Sequence, residues 1–392
     1  MKSINILVVI ILSLATTSCS KQTWEISTSS SCTMNEPINT DYSKAAPLQS
    51  IMDHYVQQGV PGISLAVYSN EGWWAGASGY SKIENKTLMQ PCHLQYSQSV
   101  SKTYLSVAIL KLYDGGRINL DEKITNYLPQ DVISKISDAD QITVRMLMNH
   151  TSGIPEYNDD ADYVSYLLQH PLHVFTTSDY LNYIAGKPLL FTPGSKYKYV
   201  NTNYEVLALI GDYITGDHAK FIRDSIFTPL GLVNSYYHDD ANYLNNPDLV
   251  NSYWDRYSNG AIENVSQMQQ VNVASLIGDD GLIASPIDYV KFLKALFNDE
   301  IISQASLDQM LTFVKDDKGE EKYGLGIFHL VYNNHVVYGH GGGGIGAGCS
   351  LIYFPEENVY FFLSVNFGVI IDGPITDLIG DMQDEINDVL VP

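Results

Sequence analysis

The segment that decides the fold is residues 99–116, which read SVSKTYLSVAILKLYDGG. Apolar residues recur along one stripe at helical spacing and two glycines close the segment, so the pattern predicts an amphipathic helix. At its start, Ser99 and Lys102 are three residues apart, which places a hydroxyl and an ammonium on one helix face. A serine at a helix N-terminus also lies near free N–H groups that stabilise a developing anion. The segment therefore predicts a nucleophilic serine with a lysine able to take its proton.

The same SxxK spacing occurs at two other places, so the spacing alone is weak evidence. Ser18 and Lys21 lie in the N-terminal region, and Ser195 and Lys198 follow a Pro-Gly turn. Neither pair opens a long amphipathic helix. Only Ser99 has the context that the chemistry requires.

Two further short motifs stand in settings that suit a catalytic site. Tyr199-Val200-Asn201 follows a Pro-Gly turn and precedes an apolar helical stretch over 204–213. His340-Gly341-Gly342 follows a predicted strand, and small residues there let backbone N–H groups approach a substrate carbonyl. In a chain with 28 tyrosines a YxN triplet is expected by chance. The evidence for this one is therefore its position between a Pro-Gly turn and a predicted helix.

The rest of the chain places these motifs in one discontinuous α/β domain. Residues 43–80 predict a helix followed by a β-hairpin, and 323–366 predict four strands, the first of them Tyr323–Phe328. A final amphipathic helix is predicted over about 375–390. We therefore expect a domain over 43–392 whose sheet is closed by both chain ends. Its parts are an α/β part of about 43–98 and 298–392, and an all-helical insertion of about 99–297.

Together the three motifs resemble the serine β-lactamase and penicillin-binding-protein family. The most similar branch holds class C β-lactamases, D-Ala-D-Ala carboxypeptidases and related esterases, where SxxK, YxN and KTG or HxG follow in this order. The resemblance covers about 45–390 and implies a β-lactamase/transpeptidase-like α+β fold, with an antiparallel sheet flanked by helices. The flanking segments that also match are Asp114–Glu122, Leu147–Pro155, Gly281–Asp288 and Tyr338–Gly342.

The resemblance also implies a role for each motif residue. It assigns Ser99 as the acylated nucleophile, with Lys102 and Tyr199 as the pair that takes the serine proton and passes it to the leaving group. The substrate-binding residues that it implies are Asn201, which would bond Lys102 and the substrate amide, His340 in place of the KTG lysine, Gly342, and Gly343, whose N–H joins that of Ser99 in an oxyanion hole. No cofactor and no metal are expected.

The sequence offers few cationic residues that could bind a substrate carboxylate. Penicillins and D-Ala-D-Ala peptides carry a carboxylate, yet residues 323–392 contain no Lys or Arg, and Gly368 stands where class C enzymes carry a carboxylate-binding Asn. His340 would supply only a partial positive charge when protonated. This argues against efficient β-lactam hydrolysis and favours a carboxypeptidase-like, esterase-like or amidase activity. The alternatives are a β-lactamase proper and a catalytically idle penicillin-binding-like envelope module.

Composition excludes other classes of function. The chain has 392 residues, with 22 Lys plus Arg against 44 Asp plus Glu, a formal net charge of −22. Such a surface repels phosphate backbones, so a nucleic-acid partner is excluded, and no basic cluster offers a membrane patch. We expect a monomer that acts on a small-molecule or peptide substrate.

The N-terminus predicts export. A lysine precedes an apolar run of twelve residues, Ile4–Ala15, which is too short to span a bilayer, so residues 1–18 read as a signal peptide. Small residues before Cys19 resemble a lipobox, which would lipidate Cys19 and anchor the chain in the cell envelope or periplasm. The alternative is an ordinary cleaved signal. Residues 19–42 are Ser/Thr-rich and predict a flexible linker. The pairing of Cys32, Cys92 and Cys349 stays open, with Cys92 read as a buried thiol.

Overall fold

The computed structural model describes residues 24–238 and 242–392. The predicted signal peptide and Cys19 lie outside these residues. The strands within them are β1 (Gly62–Ser69), β2 (Gly72–Lys82), β3 (Thr87–Leu88), β4 (Gln95–Tyr96), β5 (Ser235–Tyr237), β6 (Tyr253–Trp254), β7 (Glu263–Asn264), β8 (Leu282–Ala284), β9 (Val314–Lys315), β10 (Glu321–Tyr323), β11 (Phe328–Tyr332), β12 (His335–Gly344), β13 (Ala347–Phe354) and β14 (Val359–Val365). The helices are α1 (Ala45–Gln58), α2 (Ser101–Asp114), α3 (Gln130–Ile133), α4 (Val144–Met148), α5 (Ala161–Gln169), α6 (Thr177–Ile184), α7 (Thr202–Thr215), α8 (His218–Ile222), α9 (Thr228–Leu230), α10 (Ser266–Ser275), α11 (Pro286–Phe297), α12 (Gln304–Met310) and α13 (Pro374–Leu390). Among the described residues, every helix is too short or too polar to cross a bilayer.

The main sheet joins the two ends of the chain. Its nine strands run in the order β3-β2-β1-β14-β13-β12-β11-β10-β9, and neighbouring strands are antiparallel. Ile63 of β1 lies opposite Val365 of β14, and Leu65 lies opposite Leu363. Both strands are apolar runs buried on both faces, which suits the centre of a sheet covered by helices. The expectation of one sheet closed by both chain ends is confirmed.

Helices cover both faces of this sheet and hold α2 in place. On one face α1 packs against α13, where Leu48 and Met382 share one core. On the other face α11 lies against β1 and β14. Phe292 of α11 stacks on Tyr104 of α2 with ring centroids 3.6 Å apart. A fully buried side chain of this kind contributes roughly 1.5–3 kcal/mol, so α2, which carries Lys102, is firmly positioned.

Two local features differ from the predicted elements. The inserted part is not purely helical, because its strands β5 and β8 form a three-stranded sheet with β4, which lies just ahead of the insertion, and β6 pairs with β7. Strands of two or three residues are too short for period-2 alternation to reveal them. The predicted strand Tyr323–Phe328 is instead split between β10 and β11, because Gly324 donates to Ile327 O in a tight turn that includes Gly326 at φ +84°.

From residue 24 onward the structure differs from the predicted flexible linker. Residues 24–42 pack on the domain, where Glu25 pairs with Lys82 at 2.8 Å and Thr28 Oγ1 donates to Leu249 O at 2.6 Å. Cys32 forms a disulfide with Cys92, so the interpretation of Cys92 as a buried thiol is wrong. The partners are 60 positions apart in sequence, a pairing that local composition does not encode. Cys349 is a buried free thiol.

Candidate active site

Ser99 lies in a strained turn just ahead of α2. A 3₁₀ turn, Gln98–Val100, precedes the helix. Gln98 has φ +47°, in the left-handed region that a residue with a Cβ rarely adopts, and it is buried. Ser99 is half-buried between fully buried neighbours. Strain of this kind persists only where the surrounding structure fixes it, which suits a nucleophile held in one orientation.

The predicted contact between Ser99 and Lys102 is present. Lys102 Nζ donates to Ser99 Oγ at 2.9 Å and to Asp279 O at 3.0 Å. The lysine is 0% exposed, and burial lowers its pKa from the usual value, although nearby carboxylates, Asp279 first, act in the opposite direction. A buried amine with a lowered pKa becomes neutral more readily and can then accept the serine proton.

Buried carboxyl groups surround Lys102, and none of them belongs to the three sequence motifs. The four groups whose charges raise its pKa are Asp279, Asp280, Glu156 and Glu205. Asp279 and Asp280 follow each other just before the Gly281–Asp288 segment, and that pair of acids beside an apolar strand was the available signal. Burial raises the pKa of Asp280 and of Glu156 to about 7. The positive charge of Lys102 is therefore balanced by carboxyl groups, at least two of which have raised pKa values.

Tyr199 faces the same nucleophile. Lys102 Nζ lies 5.2 Å from the centre of the Tyr199 ring. Burial raises the pKa of the Tyr199 phenol above its usual value, and the nearby Ser99 side chain only partly lowers it. A second unforeseen residue, the buried His150, positions this loop, because its Nδ1 accepts from Val200 N at 3.2 Å and its O accepts from Lys198 N at 3.0 Å. Tyr199 is consequently a protonated phenol that can give a proton.

Asn201 is at the cavity but does not bond Lys102. Its backbone N donates to Glu156 Oε2, and it precedes the first turn of α7. Among the described residues no hydrogen bond joins its side chain to Lys102, whose amine bonds Ser99 and Asp279 instead. The implied Asn201–Lys102 bond is therefore wrong. Asn201 borders the cavity, and its predicted bond to a substrate amide stays a prediction.

His340 is a buried neutral residue rather than a partial cation. It is 1% exposed, and burial, reinforced by the charge of Lys102, lowers its pKa to about 3. Its Nδ1 lies 2.6 Å from Gly341 O, which requires a proton on Nδ1, so Nε2 accepts from Tyr323 Oη at 2.9 Å. Both ring nitrogens are thus occupied within the protein. The expectation that protonated His340 would attract a substrate carboxylate is wrong.

The glycines after His340 let β12 approach the nucleophile. A Cβ on Gly342 would lie 2.7 Å from Ser97 O and 2.9 Å from Ser99 N, contacts that essentially no side chain permits. A Cβ on Gly343 would meet open space, and both Gly343 and Ser99 border the same cavity. This close approach of two backbones beside a cavity suits the oxyanion hole that the family resemblance implies.

Ser99, Asn201 and Gly343 border one cavity of about 270 Å³, whereas Lys102, Tyr199 and His340 lie behind its wall. Its polar wall includes Ser99, Asn201, Asp279, Asp280 and Gly343. The apolar and aromatic part of its lining includes Tyr163, Val164, Leu167, Leu276, Ile345 and Ile370. In the described part of the chain, no Lys, Arg or His borders it. The site can hold a small acyl group beside the serine but offers no cationic side chain to a carboxylate.

Relatives and solved structures resemble this chain over most of the domain. Protein flp of Staphylococcus aureus is 27% identical over 206 residues, which is 52% of this chain and 40% of that protein. Penicillin-binding protein 4* of Bacillus subtilis is 26% identical over 321 residues, 77% of this chain and 67% of that one. This chain thus matches less than half the length of the staphylococcal relative.

The fold is shared with solved enzymes. The crystal structure of D-amino acid amidase from Ochrobactrum anthropi SV3, complexed with L-phenylalanine amide, superposes with a TM-score of 0.76 at 22% identity, covering 89% of this chain and 99% of that one. At this identity the likeness shows the fold alone. The family model described as Beta-lactamase matches residues 48–370. The chain therefore belongs to the Beta-lactamase family, the serine hydrolases related to penicillin-binding proteins.

Proposed function

We propose that this chain hydrolyses an amide or ester through an acyl-enzyme on Ser99. The observation that carries the proposal is the 2.9 Å contact between Lys102 Nζ and Ser99 Oγ at the edge of a cavity. A lysine without solvent contact and with a lowered pKa is suited to be the base. Burial keeps the Tyr199 phenol protonated, and the family resemblance implies that it passes a proton to the leaving group while Lys102 replaces that proton.

The proposed reaction has two steps. Ser99 Oγ attacks the carbonyl carbon while its proton passes to neutral Lys102 Nζ, and the oxyanion accepts from the N–H groups of Ser99 and Gly343. The bond from carbon to the leaving nitrogen or oxygen then breaks, and the leaving group takes a proton from Tyr199, which Lys102 restores. Water attacks the resulting ester, gives one proton to the same relay, and releases the acid with Ser99 regenerated.

The charge of the cavity bears on the substrate. With His340 neutral and two aspartates in the wall, a carboxylate beside the reacting carbonyl has no partner there. This supports an esterase-like or amidase-like reaction on substrates without that carboxylate. A D-Ala-D-Ala carboxypeptidase-like reaction is the second candidate, favoured by the match to penicillin-binding protein 4* over 77% of the chain. A β-lactamase proper and an idle envelope module have less support.

An activity-based probe tests the acyl-enzyme. The full-length chain, incubated with a fluorophosphonate, is expected to gain one adduct that peptide mapping places on Ser99. Ser99→Ala should gain none, and Ser195→Ala, in the other SxxK segment of the domain, should be labelled like the wild type. Benzylpenicillin is expected to leave the protein unmodified and to stay intact itself. Absence of a fluorophosphonate adduct on the wild type would instead support the idle module.

We also propose that the chain is an exported lipoprotein anchored through Cys19. Besides the N-terminal pattern, the Cys32–Cys92 disulfide supports export, because disulfides persist mainly in oxidising compartments. Palmitate labelling in bacterial cells is expected for the wild type and for Cys349→Ser, and not for Cys19→Ser. An unlabelled wild type that has lost residues 1–18 would show an ordinary cleaved signal instead.

A further inference from the structure

Over the residues that the structure describes, two consecutive aspartates in the wall of the cavity form no ion pair with a lysine or arginine side chain. Asp279 and Asp280 are each 4% exposed and border the cavity beside Ser99. Among the described residues neither carboxylate forms an ion pair with Lys or Arg. The nearby Lys102 amine bonds the main-chain oxygen of Asp279, not its carboxylate. Lys102 balances the charge of these acids only while it is protonated, and the proposed mechanism uses neutral Lys102, so a positively charged ligand beside the nucleophile would stabilise them.

Asp279 already has partners within the protein. Its Oδ2 accepts from Tyr157 Oη at 2.9 Å. Glu205 lies close enough to share a hydrogen bond with Asp279, and burial together with that neighbouring charge raises the pKa of Glu205 well above its usual value. A protonated Glu205 can thus donate a hydrogen bond to Asp279. The other oxygen of Asp279, Oδ1, is buried without a partner among the described residues and out of reach of a ligand, which leaves Asp280 as the acid that a ligand can contact.

Asp280 has one carboxylate oxygen without a partner. Its Oδ1 accepts from Gly281 N at 2.8 Å and from Ser97 Oγ at 3.4 Å. In the described ranges, 24–238 and 242–392, no donor bonds its Oδ2. The side chain is nine-tenths buried and belongs to the wall that also holds Ser99 and Asn201. A ligand that brings a donor with a positive charge would satisfy this oxygen and compensate the charge.

We propose that the cavity selects acyl donors that carry a protonated primary amine next to the reacting carbonyl, with Asp280 as the partner of that ammonium. The apolar wall around Leu167, Leu276 and Ile345 would take the side chain of such a substrate. The substrate class is therefore amides and esters of apolar amino acids with a free amino group. This inference rests on the proposed function, because it names the substrate class of the same site.

Matched substrates test the preference with the full-length chain. Phenylalanine p-nitroanilide is compared with N-acetylphenylalanine p-nitroanilide, each as both enantiomers. For the preferred enantiomer we expect kcat/KM to favour the free amine about 10–100-fold, the range for a hydrogen bond between charged groups. The preference should decline above about pH 7.7–8, where an α-amino group loses its proton, and also below about pH 7, where the buried Asp280 carboxylate gains one. A wild-type ratio of one or below, or a ratio that does not change with pH, would overturn the proposal.

The Asp280→Asn variant tests the residue itself. The ratio between the two substrates is expected to approach one, mainly through a higher KM for the free amine. Because both substrates are measured on one preparation, a general loss of active protein cancels from the ratio. The control, Asp131→Asn, removes the same charge from the exposed surface of α3 and should keep the wild-type ratio. An unchanged ratio in Asp280→Asn would reject Asp280 as the ammonium partner.

The probe experiment separates this inference from the proposed function. If the fluorophosphonate labels Ser99 but neither anilide is hydrolysed, the proposal of a serine hydrolase is supported and the proposed amino-acyl substrate class is wrong. If no label appears, the proposed acyl-enzyme on Ser99 is wrong, and the substrate class inferred for the same site is wrong as well. Should Asp280→Asn not fold, the ratio and pH dependence of the wild type still decide the preference for an ammonium.

Discussion

Ser99→Ala is expected to lower kcat for aryl-ester hydrolysis about 10⁴–10⁶-fold, because removing the nucleophilic oxygen ends covalent catalysis. The remaining rate would come from the oxyanion hole and substrate binding alone. The measurement is steady-state hydrolysis of p-nitrophenyl acetate by full-length wild type and variant. Ser195→Ala is the matched control, because it removes an exposed hydroxyl from the same SxxK pattern, and its kcat should equal that of the wild type.

The loss should not come from unfolding. Ser99 Oγ is half-buried and its hydrogen bond is to Lys102, which keeps its second bond to Asp279 O in the variant. Removing one hydrogen bond of this kind costs about 0.5–1.5 kcal/mol. Urea unfolding should therefore show a variant that is at most slightly less stable than the wild type and is fully folded in the assay. Ester hydrolysis within about tenfold of the wild type, with that folding intact, would remove Ser99 from the mechanism.

Local spacing was enough to predict the centre of the site. Ser99 and Lys102 are one helical turn apart, so their contact follows from helix geometry as soon as the segment is recognised as helical. Tyr199 and Gly343 are far away in sequence, and no local pattern brings them to Ser99. Their placement was predicted from the order of motifs in a family. The sheet and helices that position them belong to the fold of that family.

Burial explains what the sequence did not reveal. His340 was expected to carry a partial charge, but it is enclosed by Tyr323 and its own strand, and burial lowers its pKa. The predicted Asn201–Lys102 bond failed because Lys102 already bonds Ser99 and a main-chain oxygen. Hydrogen-bond partners and desolvation depend on the tertiary packing, whereas sequence motifs report only which residue types are present.

The acids around Lys102 were missed for the same reason. Glu156, Glu205, Asp279 and Asp280 come from separate segments that meet only in the folded chain. In an acidic sequence with 44 Asp plus Glu, only the consecutive pair Asp279-Asp280 is a signal at all, and it does not show that the pair lies beside Lys102. They matter nevertheless, because they decide the protonation of Lys102, on which the second large prediction depends.

Lys102→Met is expected to lower kcat/KM for aryl esters about 10³–10⁴-fold, the contribution of a general base. The pH profile gives the sharper result. Only neutral Lys102 accepts the serine proton, so wild-type activity should rise as pH climbs through the pKa of Lys102. Burial lowers that pKa, so the rise should come at lower pH than for an ordinary lysine. In Lys102→Met the rise that belongs to this lysine should be absent.

Lys102→Arg distinguishes a base from a mere positive charge. The guanidinium keeps the charge that the surrounding carboxyl groups require, so the folded state should be better preserved than in Lys102→Met. It does not lose a proton in proteins, so it cannot take one from Ser99, and activity should fall about as far as in the methionine variant. Lys198→Met, in the exposed SxxK segment, should keep wild-type activity and its pH profile. Substantial activity in Lys102→Arg would mean that the lysine acts through its charge and is not the base that takes the proton of Ser99.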